Sequence, residues 1–443
     1  MRQSRRQYRG RTRRDGSTAT PVSGMAARMN APQSIATPPQ PPVDSNAPIG
    51  FVEFVALVAS LMALTALGID AMLPALPAIG DALRVQVEND RQLVIVMFLF
   101  GFGVAQLIHG PLADRYGRRP VLLFALAAYV LANLVAALSS SFVLLLAARF
   151  AAGMAIAASR VVTVALVRDC YSGRAMARVM SLAFMVFMAA PVLAPSFGQL
   201  ILFFGSWRLI FVMIAVISAG ILVWFVLRMP ETLRPEDKMP LSVSRLWSGW
   251  RLTLTDRCSI GYTLAATALL GALYGFINSV QQVIVSLTGD DRLLVPVFIA
   301  VAGMMALANL LNSRIVMRIG TRRISHSALA AFIVVSAVHL VIAMAGMETI
   351  YSFAILQALT MACFGLATAN FSSMAMENMG SIAGTASSVQ GFITVTTGTL
   401  IGAVIGQAFN GSTVPLSAGF LVSGLVALVI VAVVERGRMF RSS

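Results

Sequence analysis

Residues 110–123 read Gly-Pro-Leu-Ala-Asp-Arg-Tyr-Gly-Arg-Arg-Pro-Val-Leu-Leu. They form a charged turn between two apolar runs, 93–113 and 121–138, each long enough to cross a hydrocarbon layer of ~30 Å. The turn therefore belongs at a membrane surface. Arg115, Arg118 and Arg119 assign that surface to the cytoplasm, because short loops rich in arginine resist translocation. Asp114 is an isolated acid among these bases. Gly110, four residues before it, lacks a side chain and so lets a neighbouring helix come close.

Composition agrees with this reading. Of 443 residues 58% are hydrophobic and 12% charged, with mean hydropathy +0.82, whereas soluble domains carry about 25% charged residues. The formal charge of +15 would suit a nucleic-acid binder, but it lies in loops that alternate with apolar runs. That distribution is topology rather than a binding face, so no nucleic-acid partner is expected. Cys170, Cys258 and Cys363 have no metal-type spacing and are expected as free thiols. The chain shows no glycine-rich phosphate loop, no nucleophile with its base and no metal-ligand grouping; an enzyme, a cofactor and a metal are not expected.

Twelve apolar segments follow residue 50: 51–73, 93–113, 121–138, 142–167, 179–204, 209–227, 260–286, 293–313, 324–345, 350–376, 387–409 and 416–434. An even number puts both termini on one side, and the arginine distribution makes that side cytoplasmic. The arginine-rich, Pro- and Ser-rich stretch 1–48 cannot bury enough apolar area to offset its ordering and is expected to be a disordered cytoplasmic tail. The longest polar interruption, around 229–259, holds the chain's only lysine, Lys238, and a surface helix near Trp247 and Trp250. It separates a six-helix bundle at 49–228 from another at 260–434, leaving a short tail at 435–443. The bundles keep a trace of duplication, since Arg115, Gly117 and Arg119 recur 203 positions later as Arg318, Gly320 and Arg322. Met317 replaces the acid, which predicts an asymmetric latch.

Charged groups inside hydrocarbon cost at least ~2.5–3.5 kcal/mol and usually mark function. Asp70 lies in the outer half of the first segment, and Arg149 and Arg160 in the fourth. The arginines are eleven residues apart, so they share one helix face about 16 Å apart, a face expected to line a central cavity. Asp70 and Arg149 fall at similar depth and are expected to meet. The proton affinity of Asp70 would then follow both the dryness of the cavity and its arginine partner. Glu53, at the start of the first segment, is expected at the interface. Pro191 and Pro195 should kink the fifth segment, with Gly198 allowing close packing against the opposite half. Phe184, Phe187 and Met188 offer a deformable apolar lining, and Asn278, Gln281, Gln282, Gln357 and Gln390 polar groups for the same cavity.

The 110–123 turn resembles motif A of the major facilitator superfamily, with Gly110, Asp114, Arg115, Gly117, Arg118 and Arg119 at the family's spacing. Further likenesses single out the Bcr/CflA branch of drug:proton antiporters. They are the run around Asp70, Arg149 with Gly153, Arg168-Asp169, Pro191 to Gly198, Trp207-Arg208, Pro230-Glu231-Thr232-Leu233 and Ala383 to Ser387. Arg149 matches the arginine of motif B, and the proline and glycine pattern of the fifth segment resembles motif C. The resemblance implies an all-α membrane protein of twelve helices in two six-helix pseudo-repeats around a central cavity. It also implies a cytoplasmic gate at motif A, and proton coupling and substrate contact at Asp70, Arg149 and Arg160. The expected activity is proton-driven export of small, partly apolar compounds from the bacterial inner membrane by a monomer. A proton-coupled importer or metabolite exporter on the same fold, and a non-transporting sensor or scaffold, are the alternatives.

Overall fold

The computed structural model describes residues 47–238, 243–438 and 440, so nearly all of the arginine-rich 1–48 stretch lies outside them. The described regular structure is helical: α1 (Phe51–Asp70), α2 (Leu76–Ala82), α3 (Leu93–Tyr116), α4 (Arg118–Ala137), α5 (Phe142–Cys170), α6 (Gly173–Phe204), α7 (Arg208–Arg228), α8 (Val243–Thr255), α9 (Arg257–Thr288), α10 (Leu294–Ile319), α11 (Thr321–Met344), α12 (Ile350–Ala375), α13 (Ala383–Gln407) and α14 (Val414–Val434). Hydrocarbon offers no partner for a free peptide group, so every crossing must satisfy its backbone within itself.

Eleven spans among the described residues are long and apolar enough to cross a membrane, with α1, the following turn and α2 counted as the single span Phe51–Ala82. The twelfth crossing is α6, whose described apolar stretch is Ala189–Phe204. The protein is thus an all-α, multi-pass membrane protein. The first segment, expected at 51–73, runs further: the α-helix stops at Asp70, gives way to a 3₁₀ turn at Leu73–Ala75 and resumes as α2. Pro74 and Pro77 supply the reason, since each lacks an N–H and disfavours helix in the residue before it. The expected surface helix is α8, with Trp247 63% exposed.

Successive long helices alternate direction. One end of the molecule therefore carries the α3–α4 turn, and the other carries the loops after α2, α9 and α13. We call these the arginine end and the far end. At the arginine end Gly117 joins α3 to α4 with φ +112°, and Gly320 joins α10 to α11 with φ +91°. Both angles are strained for residues with a Cβ. The repeat visible in the sequence is therefore a repeat of backbone conformation.

Helix α3 packs on α5, α4 on α5 and α7, and α1 on α6; in the second half of the chain α9 packs on α12, α13 and α14. The two sets meet where α3 lies along α13 and α6 along α10. The α3–α5 crossing is close because each helix presents a glycine to the other's backbone. A Cβ at Gly153 would collide with the Phe98 carbonyl, and one at Gly101 with that of Phe150. Gly153→Leu should therefore force the helices apart and cost about 3 kcal/mol. Gly220→Ala, in α7 with nothing within 4 Å of its Cβ position, should leave the thermal unfolding midpoint in detergent unchanged or slightly raised.

Candidate functional site

The close α3–α5 crossing delivers Arg149 into the packed interior. Its side chain is 0% exposed; Nη2 donates to the Gly68 carbonyl at 2.6 Å and Nε to the Val94 carbonyl at 3.1 Å. The guanidinium lies over the Phe98 ring, 4.3 Å from its centroid, and 5.7 Å from that of Phe211. Such faces stabilise a desolvated cation. Arg149 thereby ties α5 to both α1 and α3. It forms no ion pair with Asp70, contrary to expectation: its partner is a carbonyl two residues earlier. A helix that ends at Asp70 leaves its last carbonyls without intrahelical partners, and a guanidinium with several donors satisfies one of them better than a single carboxylate could use it.

Asp70 is 3% exposed, and its Oδ1 has no hydrogen-bond partner among the described residues. It sits at the break between α1 and the 3₁₀ turn. Immediately beyond it, Gly198 of α6 packs so closely on the Ala71 carbonyl that a Cβ there would collide, with the Pro74 ring 3.1 Å away. This corrects the expectation that Gly198 meets the opposite half, because it packs on the chain break that follows α1. Pro191 and Pro195 lie inside α6, which remains one continuous helix. The fifth-segment motif thus buttresses the chain break that holds the carboxylate.

Arg160 departs from Arg149 despite sharing its helix face. It is exposed, whereas Arg149 is enclosed. Tyr274 of α9 is buried. Of the polar residues expected to line a cavity, Asn278, Gln281, Gln282 and Gln357 are buried. Both amide atoms of Asn278 and Nε2 of Gln357 lack partners among the described residues. Gln282 is committed to hydrogen bonds with Gln92 and Asn89. Gln390 belongs to the arginine end instead, donating to Ser259 Oγ at 2.8 Å and the Ala375 carbonyl at 3.0 Å. The side chains of Phe184, Phe187 and Met188 lie outside the described residues.

At the arginine end Arg118 is buried and reaches two acids. Its Nη1 donates to Asp114 at 2.6 Å and its Nε to Asp169, at the end of α5, at 3.0 Å. Glu231 closes the group. It accepts from the backbone N–H of Arg118 at 2.9 Å and of Arg119 at 3.2 Å, and so caps α4 from a distant loop, while accepting from Thr232 and Leu233 as well. Arg119 donates to the Val226 carbonyl at 2.9 Å. Arg115 lies 5.4 Å from the Tyr116 ring centroid. Gly110 faces α13, its Cβ position 3.2 Å from Ser388 Oγ.

The second copy of this turn is paired differently. Arg322 in the second copy donates to Glu377 at 3.1 Å and Glu435 at 3.0 Å, so acids from α12 and α14 ends supply what Met317 does not. Glu435 also accepts from Tyr262. Burial alone would raise its pKa, but the Tyr262 hydroxyl and the Arg322 guanidinium outweigh burial and leave it below the usual value. Glu53 accepts from Arg228 at 2.6 and 2.7 Å and from Trp224 at 3.1 Å. Glu231, Glu377 and Glu435 were not singled out as site residues by sequence reasoning. The signal available was their position, one to three residues beyond a helix end and opposite an arginine turn.

The fold and site define a multi-pass membrane protein with a buried carboxylate at a helix break and charged turns at one end. Residues 58–403 match the family model described as Major Facilitator Superfamily, and the chain belongs to that family. It is 29% identical over 377 residues to the "Uncharacterized MFS-type transporter YdgK" of Bacillus subtilis, covering 84% of this chain and 92% of that one. It is 29% identical over 371 residues to the "Bicyclomycin resistance protein homolog" of Haemophilus influenzae, covering 82% and 91%. The solved structure of the xylose transporter XylE from E. coli matches 86% of this chain and 96% of that chain with a TM-score of 0.69 at 10% identity, which is a likeness of fold.

Arg149 makes two divergent carbonyl bonds and an aromatic stack that a lysine ammonium cannot reproduce together. Arg149→Lys should lower stability by about 2 kcal/mol through the lost bond and its stranded carbonyl, measured as a fall in unfolding midpoint in detergent. A midpoint equal to that of the unsubstituted protein would show that the cross-tie contributes nothing.

Proposed function

We propose that the protein is a proton-driven exporter of small, partly apolar compounds, a drug:proton antiporter of the Bcr/CflA type. It works in the bacterial inner membrane as a monomer, with the arginine end and both termini in the cytoplasm, and it binds no nucleic acid. Two bundles, 49–228 and 260–434, rock about the α3–α13 and α6–α10 contacts to expose the interior alternately to either side.

The observation that carries this reading is Asp70: a buried carboxyl group with an unpartnered oxygen, inside a membrane span, at a break in helix α1. A carboxylate in such surroundings is stable only when water or a cation reaches it, and protonation removes that cost. Helix α9 packs on the 3₁₀ turn that follows Asp70, so movement of α9 relative to α1 changes how far water reaches the carboxyl group, and with it the balance between the two protonation states. That is coupling in physical terms: the proton and the conformation compete for the same dry space. Arg149 positions the Gly68 turn beneath the carboxyl group. The name of the Haemophilus influenzae relative, a bicyclomycin resistance protein homolog, supports export of a drug-like compound.

Purified protein in proteoliposomes with an imposed pH gradient tests this directly. Uphill movement of a cationic dye such as ethidium should follow the proton gradient in the direction of antiport. Asp70→Asn should reduce that movement at least tenfold while leaving the unfolding midpoint and insertion intact. Undiminished gradient-driven transport in Asp70→Asn would refute the assignment of the proton site, and dye movement down the same direction as protons would support the importer.

A further inference from the structure

At the far end, side chains of a single chemical kind bridge the two sets of helices. Gln92 closes the 3₁₀ turn Glu88–Gln92 that precedes α3 and is 1% exposed. Its Nε2 donates to Gln282 Oε1 of α9 at 2.5 Å and to the Gly406 carbonyl of α13 at 3.0 Å. Gln282 Nε2 donates in turn to Asn89 Oδ1 at 2.9 Å. Asn89 Nδ2 donates to the carbonyls of Gln407 at 3.0 Å and Phe409 at 2.9 Å, and Gln407 Nε2 returns a bond to the Asn89 carbonyl at 2.8 Å. Each of these bonds joins residues 89–92 to α9 or to the end of α13, across the boundary between the two sets of helices. The neighbouring charged group, Arg91, is turned away onto Asp81 at 3.3 Å and Glu88 at 3.6 Å.

Gly406 makes the arrangement possible, because a Cβ there would collide with Gln92 Oε1 and lie 3.0 Å from Asn278 Cβ. The pattern continues along the α3–α13 seam toward the arginine end. Thr396 of α13 sits against Gly103, Gln106 of α3 against Gly391, and Ser388 of α13 faces Gly110. Polar side chains thus rest on opposing glycines, two contributed by each helix. Thr396 Oγ1 and Gln106 Nε2 have no partner among the described residues, so the seam is close without being bolted by specific bonds until it reaches the far end.

We infer that Asn89, Gln92 and Gln282, docked on Gly406 and Gln407, are the seal that holds the far end closed, and that the far end opens by their separation at the end of the α3–α13 seam. Neutral amides suit a closure that must open repeatedly. They exchange protein partners for water at small net cost, whereas an ion pair in the same dry place would have to desolvate two charges each time the end closed. The inference rests on the alternating-access reading, though not on which ion or compound is moved.

Spin labels at Gln86 and Arg292, on the far-end loops of the two helix sets, report the opening by double electron–electron resonance in lipid nanodiscs. The labelled protein carries serine at Cys170, Cys258 and Cys363 and is measured without substrate or gradient. Gln92→Leu and Gln282→Leu should each raise the long-distance population at least threefold, and Gly406→Ala should do the same by displacing Gln92. Asn309→Leu, which removes an amide bonded within its own helix, should leave the distribution unchanged. Should the leucine variants fail to fold, Asn89→Ala takes their place. Distance distributions superimposable on the background for all folded seal variants, or an equal shift in Asn309→Leu, would overturn the inference. A shift in the seal variants together with absent proton-driven efflux would leave the seal standing and remove the proton reading.

Discussion

A guanidinium held in a dry interior by carbonyl groups and aromatic faces is the constraint on which the far half of the first helix set depends. Arg149 has no carboxylate partner, so its charge is accommodated by the Gly68 and Val94 carbonyls and the ring of Phe98. That solution demands that α1, α3 and α5 all approach it at once. The glycine contacts at Gly101 and Gly153 bring two of them together, and the break of α1 after Asp70 exposes carbonyls that the third can contribute. Removing the arginine would strand those carbonyls, and widening the helix crossing would strand the arginine. The carboxyl group of Asp70 inherits its position from this arrangement.

Opposite demands govern the two ends of the molecule. The arginine end is built from ion pairs and charged caps: Arg118 with Asp114 and Asp169, Glu231 on the first N–H groups of α4, and Arg322 with Glu377 and Glu435. These ties run within each helix set and brace the ends of its helices against one another. The far end is joined by neutral amides that run between the sets. Charge therefore consolidates each set, and weaker neutral bonds span the boundary across which motion is required.

Apolar run lengths, the spacing of arginines and the positions of glycine and proline were local properties, and they were enough to specify an all-helical membrane protein, the family resemblance and nearly every helix span. The α3–α4 turn was legible because Gly117 and its arginines lie within a few residues of each other. So was its echo at Gly320, since a positive-φ turn is a local demand on the backbone. The first segment reads as ending at residue 73, just before Pro74, and the part missed is α2, the short helix that resumes beyond the 3₁₀ turn.

Partnership was another matter. Depth along two helices placed Asp70 and Arg149 side by side, yet the guanidinium chose a carbonyl, because a broken helix end offers acceptors that no residue pattern displays. Periodicity put Arg149 and Arg160 on one face but could not say that one stretch of that face is enclosed by α1, α3 and α7 while the other lies open. Gln282 and Gln390 looked alike as membrane amides, and only the packing of α13 sent one to the far-end seal and the other to the arginine end. Sequence by itself determined which segments cross the bilayer and which residues are too polar to be there without cause. The tertiary structure decided which groups those residues meet, because hydrogen-bond choice in a medium without water is settled by whichever unpaired atom the packing brings within 3 Å.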